Sequence, residues 1–526
     1  MFENMQMRLK CTINLSHEAD KAEKAIEEFV VEANKGFLVK GAPAGQFEKA
    51  ARILSWNVAG TSITFIIESG PYVRATAAAL RIRKALASFL GAKFKIGIRG
   101  LEVSDFIVTF PAPGAVPEAA LERIRKLPSI LDVKVEQNRL YLMFRSLTDA
   151  ELKRGIPDRT LELIEKRLEE ALKPKPMAKV PTVPIVRQGP QKAIKFEEDP
   201  VKVAIELGWI KEFPGRGQWI YTPPFACLSE VIESLLIEEI VSKLDFKPFM
   251  LPKLIPLEVM KLMPGYLDNI PEGMYYVCPP PRDPDSFERF KEAFKVTREV
   301  PRRELKRVIK DPDYVLDPAQ CTPLWYFFNH ETINIEDLPY KFYDRSGWTY
   351  RWEGGGVEGL VRLQEFRRIE LVYFDVPDGV VKIRDSIVDE CVRVADKILD
   401  LEWRVVAATP FFMRGGEVAG NVHDSQNVAA YDIEIYLPYR GPRETAEWLE
   451  VAACFVHKTR FIEAFKIREL KNREFWSGCT GLGVSRWVAA FLGEHGFDPD
   501  NWPKEVEKRF NRNNKPPTTL TWPSKR

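Results

Sequence analysis

The sequence contains no uncharged apolar run of about 18 residues, the length a membrane-crossing helix needs, and no N-terminal pattern of a basic patch followed by an apolar stretch. Both absences point to a soluble, cytoplasmic protein. Cysteine is sparse: seven residues, at 11, 227, 278, 321, 391, 454 and 479. An odd number at scattered spacing does not make a disulfide framework, so the thiols are expected to be reduced, with some available as metal ligands. A charge excess is also missing. With 77 basic and 75 acidic residues the net charge is +2, which neither demands nor excludes a polyanionic partner, because a local basic face is what binds phosphate. There is no internal repeat and no low-complexity tail beyond a basic, proline-containing last dozen residues. What remains is 526 residues of ordinary globular composition, 45% hydrophobic and 29% charged, enough for two or more domains with their own cores.

Residues 1–172 alternate strand-like and helix-like segments. Alternation or β-branched content predicts strands at Met7–Leu15, Ser62–Glu68, Phe94–Ile98, Phe106–Phe110, Leu131–Glu136 and Leu140–Phe144. Helical periodicity marks Glu18–Asn34, Val73–Leu90, Pro117–Lys126 and Asp158–Leu172. About six strands with helices make a compact α+β domain. Residues 173–200, opening on Lys173-Pro174-Lys175-Pro176, read as a proline-rich linker, and 201–526 as a second, larger domain. The helix Val73–Leu90 carries Arg74, Arg81, Arg83 and Lys84. Positions 74, 81 and 84 share one face, opposite an alanine- and leucine-rich one. A basic stripe on a rigid element suits RNA phosphates; a solvated helix face accounts for it equally well.

Two stretches of the larger domain carry nucleotide chemistry. The first is Tyr350-Arg351-Trp352-Glu353, then glycines 354–356, then Gly359-Leu360-Val361-Arg362-Leu363-Gln364-Glu365-Phe366. A planar guanidinium grips two phosphate oxygens at once, which lysine does not, and the glycines suit a turn. The second is Gly481-Leu482-Gly483-Val484-Ser485-Arg486, where glycines let an apolar helix start close to a sheet. Either alone is compatible with a surface hairpin or an ordinary glycine before a helix. Upstream, an amphipathic segment from Phe225 to Leu244 precedes an extended stretch, Phe246–Pro256, containing Pro252; alone it reads as a core helix and an edge strand.

In this order the three stretches resemble motifs 1, 2 and 3 of the class II aminoacyl-tRNA synthetases, at about 225–256, 346–374 and 478–492. Around them, Pro318-Ala-Gln-Cys321-Thr-Pro-Leu, Arg367-Arg368-Ile369-Glu370-Leu371-Val372 and Gly478-Cys479-Thr480 resemble the seryl-tRNA synthetases of the methanogenic-archaeal, zinc-dependent type over nearly the whole length. On these residues the chain is identified as a member of that family. The resemblance implies an antiparallel class II sheet flanked by helices, preceded by a separate α+β tRNA-binding domain that grips the extra arm of serine tRNA. It implies a homodimer through motif 1, and an enzyme that joins serine to tRNA with ATP through seryl-adenylate.

It also implies roles. Arg351 would hold the α-phosphate and stabilise the charge of the transition state, and Glu353 would accept from the adenine amino group. Phe366 would stack on adenine, with Arg362 near it; Arg486 would meet the outer phosphates and Glu450 the Mg²⁺ that accompanies ATP. Three residues after Glu450 stands Ala453, where the family carries serine or asparagine. Asp432 and Glu434 are acidic neighbours, or simply paired surface carboxylates. Cys321, Glu370 and Cys479 match the ligands of one zinc ion per subunit, whose open position takes the serine amino group. Without the family, each cysteine reads as a small buried hydrophobe. Because every amino acid has an amino group, selecting serine over alanine needs a buried partner for its hydroxyl, worth about 10⁴-fold. That element is expected between Trp403 and Asn427, with its glycine-rich run from Arg414 to Asn421. Two further readings are an amino-acid:carrier-protein ligase on the same core and a catalytically silent RNA-binding paralogue.

Overall fold

The structure is a computed structural model and describes residues 4–43, 45–114, 116–172, 184–354, 356–410 and 428–523. The chain divides into two compact units, Met1–Val180 and Pro181–Arg526.

In the first unit the described residues form an all-antiparallel sheet. Ala51–Ala59, Ser62–Ser69, Gln6–Leu15, Ile98–Pro111, Arg139–Phe144 and Ile130–Glu136 lie in that spatial order, and Leu147–Thr148 pairs beside Ile98–Pro111. Strict alternation in Gln6–Leu15 buries Met7, Leu9, Cys11, Ile13 and Leu15. They pack with the apolar stripes of Glu23–Lys35, Ala75–Phe94 and Ile156–Leu172 in one core, as period-2 and period-3.6 patterns require. One expectation is corrected, and one strand is added. Phe94–Ile98 is not a strand: the helix runs through Phe94, and a single strand starts at Ile98. The strand Ala51–Ala59 was hidden by a bulge between Ile53 and Ser55, which breaks the alternation that would reveal it.

The second unit is built on a sheet whose order is Lys247–Phe249, Tyr340–Asp344, Ile369–Asp375, Trp476–Leu482, Leu449–Lys458, Ala430–Ile435, Trp403–Ala408 and Ile185–Gln188. Every pairing is antiparallel except the first, between Lys247–Phe249 and Tyr340–Asp344. The helices Pro223–Leu236, Pro377–Arg393 and Val484–His495, the last with Trp487, share one core with the sheet's apolar residues, among them Tyr373 and Cys454. The α+β class read from the sequence, a separate mixed unit before a largely antiparallel core flanked by helices, is what the fold shows.

The linker expectation is corrected from residue 184 onward. Ile185–Gln188 is an edge strand on Trp403–Ala408, and Gly189 donates its N–H to the Trp403 carbonyl at 2.9 Å. Proline at the start of an edge strand loses no ladder hydrogen bond, so Pro184 did not mark a boundary. Phe246–Pro256 is likewise two strands, Lys247–Phe249 and Leu254–Pro256, in different sheets. Among the described residues no helix is long and apolar enough to cross a membrane.

Candidate active site

One face of the sheet carries the site. Across the antiparallel ladder Glu370 faces Gly481, Gly481 faces Ala453, and Ala453 faces Asp432. Cys479, two residues from Gly481, projects from the same side, with Phe455 opposite it. Cys321 comes from elsewhere, at the start of the short helix Thr322–Phe327. Its loop is fixed from below: Gln320 donates to the Asp344 carboxylate at 2.9 Å, and Asp317 accepts from the Ala319 N–H at 3.1 Å. Cys321, Glu370 and Cys479 are all buried, with donor atoms within 4.8 Å of one another.

Inside this triad burial and mutual proximity disfavour the charged forms. The Cys321 side chain beside it and then burial raise the Cys479 thiol well above its usual range, and burial raises the Glu370 carboxyl. Glu370 Oε2 is met by the Arg368 guanidinium at 2.9 Å. Ionisable groups crowded together and desolvated hold protons; a divalent cation among them reverses that by stabilising the anionic forms. Around the triad, Cys479 Sγ is 3.5 Å from His457 Nε2. The imidazole is kept neutral, its pKa pushed down to about 3 by burial and the nearby Arg460. Gly481 is required by close approach: a Cβ there would lie 3.1 Å from Arg368 Cδ and 3.4 Å from Glu370 Oε2.

The triad opens into a cleft of about 270 Å³ that also takes in Arg351, Glu353, Arg362, Phe366, Glu450 and Arg486. The hairpin Trp348–Tyr350/Glu365–Arg367 ends at Tyr350. Arg351 and Glu353 therefore lie just beyond the strand, although the Arg351 N–H still pairs with the Gln364 carbonyl at 2.9 Å. The Glu353 N–H donates to the Gln364 side chain at 3.0 Å. Arg362 lies 3.8 Å from Glu447.

Three links lock the motifs together. Arg367 pairs with the buried Glu233 of helix Pro223–Leu236. The Arg367 N–H donates to Ser485 Oγ at 3.1 Å. Arg486 donates to the Val361 carbonyl at 3.2 Å and to the Glu450 carbonyl at 3.0 Å, with the Glu450 carboxylate 3.4 Å away. Asp432 lines the cleft too, and burial together with Glu450 and Glu434 raises its carboxyl. Glu434 instead pairs with Arg404 at 2.6 Å.

The basic stripe of the first unit is largely engaged internally. Arg74 pairs with Asp158 and Arg83 with Asp149, while Arg81 donates to the Phe37 and Lys40 carbonyls; Lys84 is exposed. The glycine-rich run from Arg414 to Asn421 lies outside the described residues. Sequence reasoning missed Arg368, His457 and Tyr266, which surround the triad. Arg368 was in plain view beside Glu370; the other two carry no local signal.

The comparisons agree with this geometry. A family described as a tRNA-binding domain matches residues 5–166, and the tRNA synthetase class II core domain (G, H, P, S and T) matches residues 305–495. The chain is 40% identical over 516 residues to the type-2 serine–tRNA ligase of Methanocaldococcus jannaschii, covering 96% of each. It is also 40% identical over 528 residues to that of Methanothermobacter thermautotrophicus, covering 99% of each. A crystal structure of A. aeolicus tRNASec in complex with M. kandleri SerRS superimposes with a TM-score of 0.87 at 39% identity, covering 99% of this chain and 100% of that one. With the motif-like stretches gathered around one largely antiparallel sheet and full-length relatives at this identity, the chain belongs to the type-2 serine–tRNA ligases, a family of class II aminoacyl-tRNA synthetases.

Proposed function

We propose that the chain activates serine with ATP at the cleft beside Cys321, Glu370 and Cys479, and then passes the seryl group to serine tRNA. The observation that carries this reading is the convergence of two thiols and a carboxyl from three distant segments within 4.8 Å, at the wall of the cleft that holds Arg351 and Arg486. Two sulfurs and one oxygen suit zinc, and three protein ligands are the pattern of a functional site. A buried Glu370 carboxylate oxygen beside both sulfurs fits a ligand role. Bound there, zinc would supply a Lewis-acid position for an amino group.

The chain's own residues do the rest. Arg368 opposes the burial that raises the Glu370 carboxyl and orients it. Arg351 and Arg486 face the phosphate chain from two walls and stabilise charge that develops at the α-phosphorus as the serine carboxylate attacks. Phe366 and Glu353 seat the adenine ring, and Arg362 closes that side. Glu450, tied to Arg486, is the acidic contact for Mg²⁺ with ATP. Ala453, with no polar side-chain atom, faces Asp432, so Glu450 and Asp432 are the acidic groups that would meet Mg²⁺ there. Among the described residues no side chain of the cleft is positioned as an obvious base, and the phosphate or substrate serves. Homodimerisation through motif 1 is supported by apolar side chains left in water there: Met250 is 86% exposed and Phe327, next to Phe249, 60%.

Serine-dependent ATP–pyrophosphate exchange tests the reading. Cys479→Ala abolishes both exchange and bound zinc while the fold persists. Exchange with threonine or alanine in place of serine would reject the specificity, and full exchange in a zinc-free Cys479→Ala protein would reject the metal's role.

A further inference from the structure

Between Val277 and Tyr314 the chain leaves the core and returns. Tyr276–Val277 and Tyr314–Leu316 are neighbouring antiparallel strands, and the segment between them forms the helices Glu288–Thr297 and Arg302–Val308. Neither helix has a buried residue. A core element is held by the surface it buries; these helices bury little, so packing alone does not explain them.

What they carry is charge. From Arg289 to Lys310 there are nine basic and three acidic side chains, against a chain that is close to neutral overall. Intramolecular pairing absorbs little of it. Among the described residues only Lys291, with Glu288, and Arg307, with Glu304, make ion pairs there, both three residues apart on one helix. In the second helix Arg302, Arg303, Lys306 and Arg307 are spaced to share one side, with Leu305 and Val308 turned to the other. Self-repulsion of such a face is tolerated where an anionic partner neutralises it.

The location names the partner. The segment is rooted at the cleft's own hairpin: the Trp352 N–H donates to the Gly273 carbonyl at 3.1 Å, the Tyr275 hydroxyl donates to Gln364 at 2.9 Å, and the Tyr275 and Trp352 rings meet edge-on at 5.6 Å. Tyr275 and Leu316, at the root, line a groove with Tyr350 and Trp352; Trp352 is half exposed. A polyanion whose end reaches the cleft must therefore pass close to this basic face.

We propose that residues 289–310 are an RNA-docking arm that holds the phosphate backbone of the tRNA acceptor stem. The grip is electrostatic and indifferent to base sequence, as phosphate contacts are. It rests on the chain's being a tRNA ligase and not on the zinc reading.

The test uses the full-length protein with Arg302, Arg303, Lys306 and Arg307 all changed to Gln. Activation without RNA, read as serine-dependent ATP–pyrophosphate exchange, is expected to stay within about twofold of the parent, since these residues lie outside the cleft. The KM for a serine-tRNA transcript should rise about 10-fold or more at roughly 0.1 M salt. The slope of log affinity against log salt should shrink by roughly 0.9 for each phosphate that the variant no longer neutralises. An unchanged KM with an unchanged salt slope overturns the proposal. So does a shift in the monomer–dimer equilibrium with tRNA affinity intact, since that makes the face a protein interface. The parent protein gives an independent reading: tRNA should protect Lys295, Lys306 and Lys310 from an amine-acetylating reagent, and equal labelling with and without tRNA refutes the arm.

Discussion

Gly478 occupies the tightest point behind the triad, and Gly478→Ala should damage both fold and site. A Cβ at this position would lie 2.2 Å from Tyr373 Cε2, 2.6 Å from its Cζ and 2.5 Å from the Phe455 carbonyl oxygen. Tyr373 has nowhere to go: it is fully buried in the main core, and its hydroxyl donates to that same Phe455 carbonyl at 2.7 Å. Overpacking of a rigid core costs about 1–3 kcal/mol, and losing the buried hydrogen bond adds about 1 kcal/mol. The expected loss is therefore roughly 2–4 kcal/mol. Eleven of the twelve tryptophans lie in the second unit, so urea unfolding followed by tryptophan fluorescence reports on it. Because the next residue is Cys479, bound zinc should fall in parallel. The double variant with Tyr373→Leu relieves the ring contact and should cost less than the two singles together by at least about 1 kcal/mol. A Gly478→Ala protein within about 0.5 kcal/mol of the parent, or strict additivity in the double variant, refutes the reasoning.

Other outcomes follow from the same geometry. Arg351→Gln should lower the exchange rate about 10²–10³-fold, the usual cost of removing one transition-state donor, with unchanged thermal unfolding; a loss of only a few-fold would remove Arg351 from the phosphate site. Cys391 and Cys454 are buried free thiols away from the triad, so Cys391→Ala and Cys454→Ala should keep bound zinc and exchange while losing about 1–2 kcal/mol of stability. Zinc lost in either would show the triad to be the wrong metal site. Burial pushes the Glu494 carboxyl from its ordinary 4.5 up to about 9. Between those values the folded chain binds the proton and the unfolded chain does not, so this group's contribution falls as pH rises. Glu494→Gln, still able to accept the Glu402 N–H, should gain on the parent in urea midpoint between about pH 5 and pH 9; parallel pH profiles would contradict the assignment.

The strands Gln6–Leu15 and Ser62–Ser69 were legible because one face is core and the other is not, which writes period 2 into the sequence. Ala51–Ala59 was illegible for a local reason, its bulge, and Ile185–Gln188 because so short a strand cannot show a period. The nucleotide hairpin and the helix after Gly483 were visible as motifs. The grouping of Cys321, Glu370 and Cys479 was visible only through resemblance, since proximity between residues so remote in sequence leaves no periodic trace. Basic spacing on Ala75–Phe94 was read correctly as a stripe, but no sequence rule discloses that Asp158, Asp149 and two carbonyls would engage its arginines. The charge run 289–310 is visible in the sequence, but only the fold shows that among the described residues just Lys291 and Arg307 of it form ion pairs.

The short strand Ile185–Gln188 has a practical corollary. Trp403–Ala408 would otherwise end the sheet with a row of open amide and carbonyl groups, the template on which chains stack into aggregates. Anyone excising the catalytic half for crystallography or engineering should begin no later than Pro184; starting at Pro200, where the first helix of that unit begins, would strip the seal and leave a sticky margin.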